Sequence, residues 1–101
     1  MLRTRKDDSL SNFKIFETDQ FLSDLEREFN GQNERIKRKL DSYVYPQLKE
    51  QPYFGENIKK LRDYKPETWR YRIGGHRFFY EIDGHKKIVF MISADNRADA
   101  Y

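Results

Sequence analysis

Residues 68–93 read TWRYRIGGHRFFYEIDGHKKIVFMIS, and this stretch decides the fold. Trp69, Tyr71 and Ile73 alternate with Arg70 and Arg72, the two-residue period of a strand with one face on a core. Gly74-Gly75 interrupts the alternation, and two residues able to take positive φ between alternating runs signal a tight hairpin. With those glycines as the loop, Ile73 faces His76, Arg72 faces Arg77, Tyr71 faces Phe78, Arg70 faces Phe79 and Trp69 faces Tyr80. A second turn around Asp83-Gly84 leads into KKIVFMIS at 86–93, where Ile88, Phe90 and Ile92 share one side. A three-residue loop, Asp83-Gly84-His85, sets Tyr80 against Ile88, Phe78 against Phe90 and Glu81 against Lys87. A two-residue loop sets Lys87 against Tyr80 instead, and the apolar pairs favour the longer loop. Val89 and Met91 are apolar on the other side, which predicts a central strand covered on both faces. The stretch reads as a three-stranded antiparallel meander.

Upstream, Phe13 and Ile15 alternate with Asn12 and Lys14, predicting a short strand over 12–17 that pairs with an edge of the meander. Thr18 can cap a helix, Asp19 puts negative charge in its first turn, and Phe21, Leu22, Leu25 and Phe29 recur at helical spacing until Asn30-Gly31. A second helix carries Ile36, Leu40, Tyr43 and Val44 on one face, with Arg35, Lys37, Arg38 and Lys39 on the rest, and Pro46 marks its end or a kink. The segment 51–66, with two prolines and a glycine around Ile58 and Leu61, reads as a loop with one helical turn. Residues 1–11 are polar and aperiodic, the signature of a disordered or loosely attached tail. The expected architecture is α+β: an N-terminal strand, a two-helix hairpin, then the meander, with the helices on one face of the sheet. A single domain over 12–101 accommodates all of it.

Composition narrows the function classes. The chain has 101 residues, 37% hydrophobic, with eight Phe, seven Tyr and one Trp, so a few rings must build the core. It has no cysteine, which removes disulfides, thiol nucleophiles and thiolate-bound zinc and suits a reducing cytoplasm. No apolar run reaches signal-peptide or membrane-spanning length, so a soluble cytoplasmic protein is expected. His76 and His85 have no carboxylates at ligand spacing, so neither a metal nor any other cofactor is expected. The glycine pair opens no helix, so it is not a phosphate loop.

Charge points to a polyanion. The net charge is +3, and the excess lies late in the chain, where residues 57–101 carry ten Lys and Arg against six acids. The hairpin register sets Arg72 against Arg77 on one face, with Arg70 one step along. Like charges directly across strands cost stability. A solvated face is one explanation; a bound phosphate backbone is the other, since the planar guanidinium fork matches phosphate oxygens. Lys59, Lys60 and Arg62 lead into the same region, while the basic face of the second helix reads as solvated or as touching nucleic-acid backbone.

The segment PYFGENIKKLRDYKPETWRYRIGGHRFFYEID at 52–83, with KKIVFMISADNRADAY at 86–101, resembles the RelE/ParE superfamily of toxins from bacterial type II toxin–antitoxin modules. The likeness covers residues 12–101 and rests on the order of elements, the leucine-plus-basic segment before the strand, the G-x-R-x-x-Y unit at Gly75, Arg77 and Tyr80, and the closing R-x-x-x-Y at Arg97 and Tyr101. It is nearest the RelE-like mRNA interferases, endoribonucleases that inhibit translation by cutting messenger RNA in the ribosomal A site without metal. There the ribose 2′-hydroxyl attacks the adjacent phosphate.

The resemblance implies a cognate antitoxin partner and a catalytic set of Arg77, Arg97 and Tyr101. Arg77 would stabilise the phosphate, Arg97 would lie near the leaving group, and Tyr101 would serve in proton transfer. Arg70, Arg72, Lys59, Lys60 and Arg62 would bind RNA. Arg70 and Arg72 stand where relatives often carry lysine, and an arginine does not release its proton, so neither can be the base. Two other readings share the fold: a ParE-like inhibitor of DNA gyrase, and a non-catalytic RNA-binding or antitoxin-binding domain.

Overall fold

The computed structural model describes residues 12–96; the tail at 1–11, and Arg97 and Tyr101, lie outside the described residues. Five strands form one sheet: β1 (Lys14–Glu17), β2 (Ile58–Lys60), β3 (Trp69–Ile73), β4 (His76–Asp83) and β5 (Ile88–Asn96), in the order β1-β5-β4-β3-β2. β1 runs parallel to β5, and the remaining neighbours are antiparallel. Helix α1 (Asp19–Glu28) and a longer helix fill the connection from β1 to β2. Phe21, Leu25, Ile36, Leu40, Val44 and Leu48 from the helices meet Trp69, Tyr71, Phe78, Tyr80, Val89 and Met91 in a single buried core. The α+β layer and the helices on one face are as expected.

Helix α1 starts where the sequence indicates, with the Thr18 hydroxyl oxygen accepting from the Phe21 amide at 3.2 Å. Leu22, expected on the buried face, is 43% exposed. The second helix begins as α2 (Asn33–Lys39), passes through one π-helical turn at Leu40–Val44 and continues as α3 (Tyr45–Glu50). Pro46 therefore neither ends nor simply kinks it. The π turn, in which the Tyr45 amide reaches back to the Leu40 carbonyl, widens the helix just before the proline. The extra residue rotates the face: Tyr45 is buried, and Tyr43, expected in the core, is 63% exposed.

The β3–β4 hairpin has the expected register throughout, from Ile73 opposite His76 to Trp69 opposite Tyr80. Gly74 supplies φ of +60°. The segment expected as a loop with a helical turn instead contributes β2. Ile58 pairs with Tyr71 and Lys59 with Arg70, and Ile58 packs against the core from the sheet edge.

The β4–β5 register also differs from expectation. The loop is four residues long, so Asp83 pairs with Ile88, Ile82 with Val89, Glu81 with Phe90 and Tyr80 with Met91. The Asp83 carboxylate closes the turn by accepting from the His85 and Lys86 amides, and Lys87 leaves it at φ of +58°. A slip of an odd number of residues reverses the faces. Val89 and Met91 accordingly enter the core beside Tyr80, while Ile88, Phe90 and Ile92 are half-buried on the open face, where the Phe90 ring meets Phe16 edge-on. β5 is central, as expected, but among the described residues no helix covers that second face.

Between Tyr80 and Phe79 the pairing jumps, with Phe79 opposite Ser93, leaving Ile92 as an unpaired bulge residue. Past the end of β1 the Ala94 amide has no strand partner on that side. It donates to the buried Asp24 carboxylate at 3.1 Å, and Asp24 also accepts from Gln20 and Arg27. The carboxylate bolts α1 onto the bulged strand.

Candidate nucleic-acid interface

The open face of the sheet gathers the cations. Strand alternation sends Trp69 and Tyr71 to the core, which leaves Arg70 and Arg72 on the opposite side of β3; the same alternation exposes Arg77 and Phe79 on β4 and Lys59 on β2. Two rows cross the strands. One runs Ser93, Phe79, Arg70, Lys59, and the next runs Asp95, Arg77, Arg72. Within these two rows Lys59, Arg70, Arg72 and Arg77 stand with one carboxylate, while Glu81 and Asp83 lie further along β4 on the same face; two of the cross-strand pairs, Arg72 with Arg77 and Lys59 with Arg70, are like-charged.

Arg77 is the most ordered of the four. Its guanidinium makes a bidentate pair with Asp95, and its Cζ lies 5.5 Å from the centre of the Phe79 ring. Arg70 is half-buried, and its Nε is buried without a hydrogen-bond partner. Leaving a buried donor unmet costs about 1–3 kcal/mol. Arg72 is exposed, its Nε 3.5 Å from the Gly74 carbonyl oxygen. The arrangement offers guanidinium donors on a rigid platform at the expense of stability.

Of the expected RNA-binding residues, Lys59 joins this face and Lys60 does not. Lys60 pairs in register with Trp69, lies 5.6 Å from that ring's centre and bridges to Glu67 at 3.0 Å. Arg62 is exposed in the turn after β2. Arg97 and Tyr101 follow β5 and lie outside the described residues.

Two neighbours, Asp95 and Tyr64, escaped the sequence reading. Asp95 could be found only with the true β4–β5 register. Phe79 and Tyr64, with Thr68, Ile92 and Ser93, line a depression of about 150 Å³ beside Arg70. A larger open depression of about 760 Å³ runs along β1 against Asp41, Tyr45 and Lys49, at the far edge of the sheet from the arginines. Among the described residues, no three His, Asp or Glu side chains converge as a metal site, and no helix is long and apolar enough to cross a membrane.

Known proteins place this architecture. The fold is similar to a chain of the RelBE2 toxin–antitoxin complex from Mycobacterium tuberculosis, with a TM-score of 0.69 and 25% identity over 87% of this chain and 94% of that one. It is also similar to a YoeB/ParE toxin from Agrobacterium tumefaciens, with a TM-score of 0.63 and 20% identity over 83% of this chain and 98% of that one. In the archaeal RelE–RelB complex from Pyrococcus horikoshii OT3 the corresponding values are 0.60 and 18%, over 85% and 96%. A search of curated protein sequences gives no match. A family model described as the ParE toxin of type II toxin–antitoxin systems matches residues 15–101, nearly the whole chain. The protein therefore belongs to the RelE/ParE superfamily of type II toxins, with a RelE-like fold.

Proposed function

We propose that this toxin is an mRNA endoribonuclease that acts in the cytoplasm on messenger RNA in the ribosomal A site, and that a cognate antitoxin holds it inactive. The observation that carries the reading is the opposition of Arg72 and Arg77 on an open sheet face, extended by Arg70 and Lys59. Arginines kept opposite one another on an open face, with only Arg77 of the three paired to a carboxylate among the described residues, suit a ligand that supplies negative charge. In the reaction the ribose 2′-oxygen bonds to the adjacent phosphorus, its proton passes to a base, and the 5′-oxygen leaves with a proton from an acid. Charge builds on the phosphoryl oxygens, where fixed guanidinium groups act most strongly. Arg77 takes that role, with Arg70 and Arg72 orienting the backbone. By the family resemblance, Arg97 neutralises the leaving oxygen and Tyr101 serves in proton transfer, with no metal required. The solved relatives crystallised as toxin–antitoxin complexes support an antitoxin partner.

The test is to incubate the chain with translating ribosomes and map the new mRNA ends. Cleavage is expected, with a loss of at least about 100-fold in Arg77→Ala. Absence of new ends, or equal cleavage by the variant, overturns the reading. The ParE description of the matched family model favours a second reading, inhibition of DNA gyrase. A supercoiling assay separates the two: inhibition without mRNA cleavage selects the gyrase reading.

A further inference from the structure

The depression beside the arginines is lined by two aromatic side chains. One wall is Phe79, whose register partner on β3 is Arg70 and on β5 is Ser93. The other is Tyr64, 55% exposed on the β2–β3 loop. That loop is tied down at both ends: the Leu61 amide donates to the Thr68 carbonyl, and the Thr68 hydroxyl donates to the Pro66 carbonyl at 3.0 Å. Tyr64 is thus an exposed aromatic on an anchored loop, which conserves a stacking platform at little entropic cost.

Size, polarity and charge agree on one occupant. The volume of about 150 Å³ is far below the about 300–1,000 Å³ typical for drug-sized ligands, which limits the guest to one ring system. Its lining is two aromatic rings, Ile92 and two hydroxyl residues. Thr68 spends its proton on Pro66 and can only accept; Ser93 can donate or accept. An occupant with π faces and a polar edge fits. The Arg77 guanidinium lies 5.5 Å from the Phe79 ring centre, and Arg70 is the register partner of Phe79 on β3. Ring site and anion site therefore adjoin, as base and phosphate do within a nucleotide.

We infer that the cleft between Tyr64 and Phe79 is a nucleobase subsite, which stacks one base of a single-stranded RNA whose phosphates lie on the arginine face, and which imposes a preference at that nucleotide. The inference rests on the ribonuclease reading above. Stacking supplies sequence-tolerant affinity, since every base has a π face, while the Ser93 and Thr68 hydroxyls discriminate among base edges.

The experiment maps mRNA cleavage on translating ribosomes for the wild-type chain, Tyr64→Phe, Tyr64→Leu and Ser93→Ala, with thermal unfolding as the folding check. The wild-type chain is expected to prefer some bases over others at one fixed position from the cut by about 5- to 100-fold, the range that hydrogen bonds to a base edge support. Tyr64→Phe retains the preference. Tyr64→Leu, equally apolar but without a ring to hold the base edge against Ser93, and Ser93→Ala, which removes the edge contact, flatten it to within about twofold. Cleavage with an unchanged preference in Tyr64→Leu and Ser93→Ala overturns the subsite and leaves the ribonuclease reading standing. No cleavage by the wild-type chain overturns that reading, and the subsite with it. Loss of antitoxin binding in Tyr64→Leu, with base preference intact, assigns the cleft to a protein anchor and also overturns the inference.

Discussion

The carboxylate of Asp95 grips Arg77 along two arms of the guanidinium, Oδ1 accepting from Nε at 2.8 Å and Oδ2 from Nη2 at 2.5 Å. A carboxylate so placed occupies donors that a phosphate would use. Asp95→Ala is expected to tighten RNA binding and to steepen the dependence of log K on log salt by about 0.7, the increment for one further phosphate contact on a single strand. The pair is partly exposed, with side chains 25% and 33% accessible, so the stability lost is about 1 kcal/mol or less. Fluorescence anisotropy with an RNA oligomer across a salt series, beside urea unfolding, measures both.

Arg70 sits opposite Lys59 and has a buried Nε without a partner. Arg70→Met fills the side chain as far as the Nε position and removes both liabilities. Unfolding in urea is expected to show a gain of about 1 kcal/mol, accompanied by weaker RNA binding. A variant less stable than wild type would contradict this account of the residue.

Asp24 satisfies the Ala94 amide across the layer between helix and sheet. Asp24→Ala strands that donor in a buried site and is expected to cost about 2 kcal/mol. Asp24→Asn keeps one acceptor and should cost less. Hydrogen exchange at the Ala94 amide reports the same contact site by site.

Two buried phenols set a limit at high pH. Burial, reinforced by the hydrogen bond to Glu17 at 2.6 Å, raises the pKa of Tyr45 well above the ordinary 10.0; burial also raises Tyr80, whose hydroxyl donates to the Pro52 carbonyl. Both groups stay protonated in the folded chain above pH 10, where the unfolded chain releases its protons. Their stabilising contribution is therefore fully present below about pH 10 and is lost as pH rises beyond it, at about 1.4 kcal/mol per pH unit for each group. Urea unfolding at pH 9, 10 and 11 should show the decline, and Tyr45→Phe should make it shallower by one group's share.

The hairpin between β3 and β4 was legible because its local signals agreed: Trp69, Tyr71 and Ile73 alternating with Arg70 and Arg72 before the turn, two glycines in it, and a loop too short to allow another register. The arginine opposition followed from that register alone. β2 was not legible, because Ile58–Lys60 is three residues long, too short for a period to show, and exists by pairing with β3. Tyr43 and Leu22 were misplaced because apolar residues at helical spacing do not reveal where a π turn rotates the face or where the core ends.

The sequence by itself determined the α+β layer, the β3–β4 register and hence a cationic face, since local periodicity and turn chemistry suffice for those. Which face of β5 is buried was decided only by tertiary structure. Ile88, Phe90 and Ile92 are as apolar as Val89 and Met91, so burying either set looks equally favourable along the strand. The four-residue turn closed by Asp83, the bulge at Ile92 and the Asp24 bond to the Ala94 amide break that tie. In doing so they bring Asp95 to Arg77 and Ser93 to Phe79, contacts between residues too far apart in the chain for any local pattern to announce.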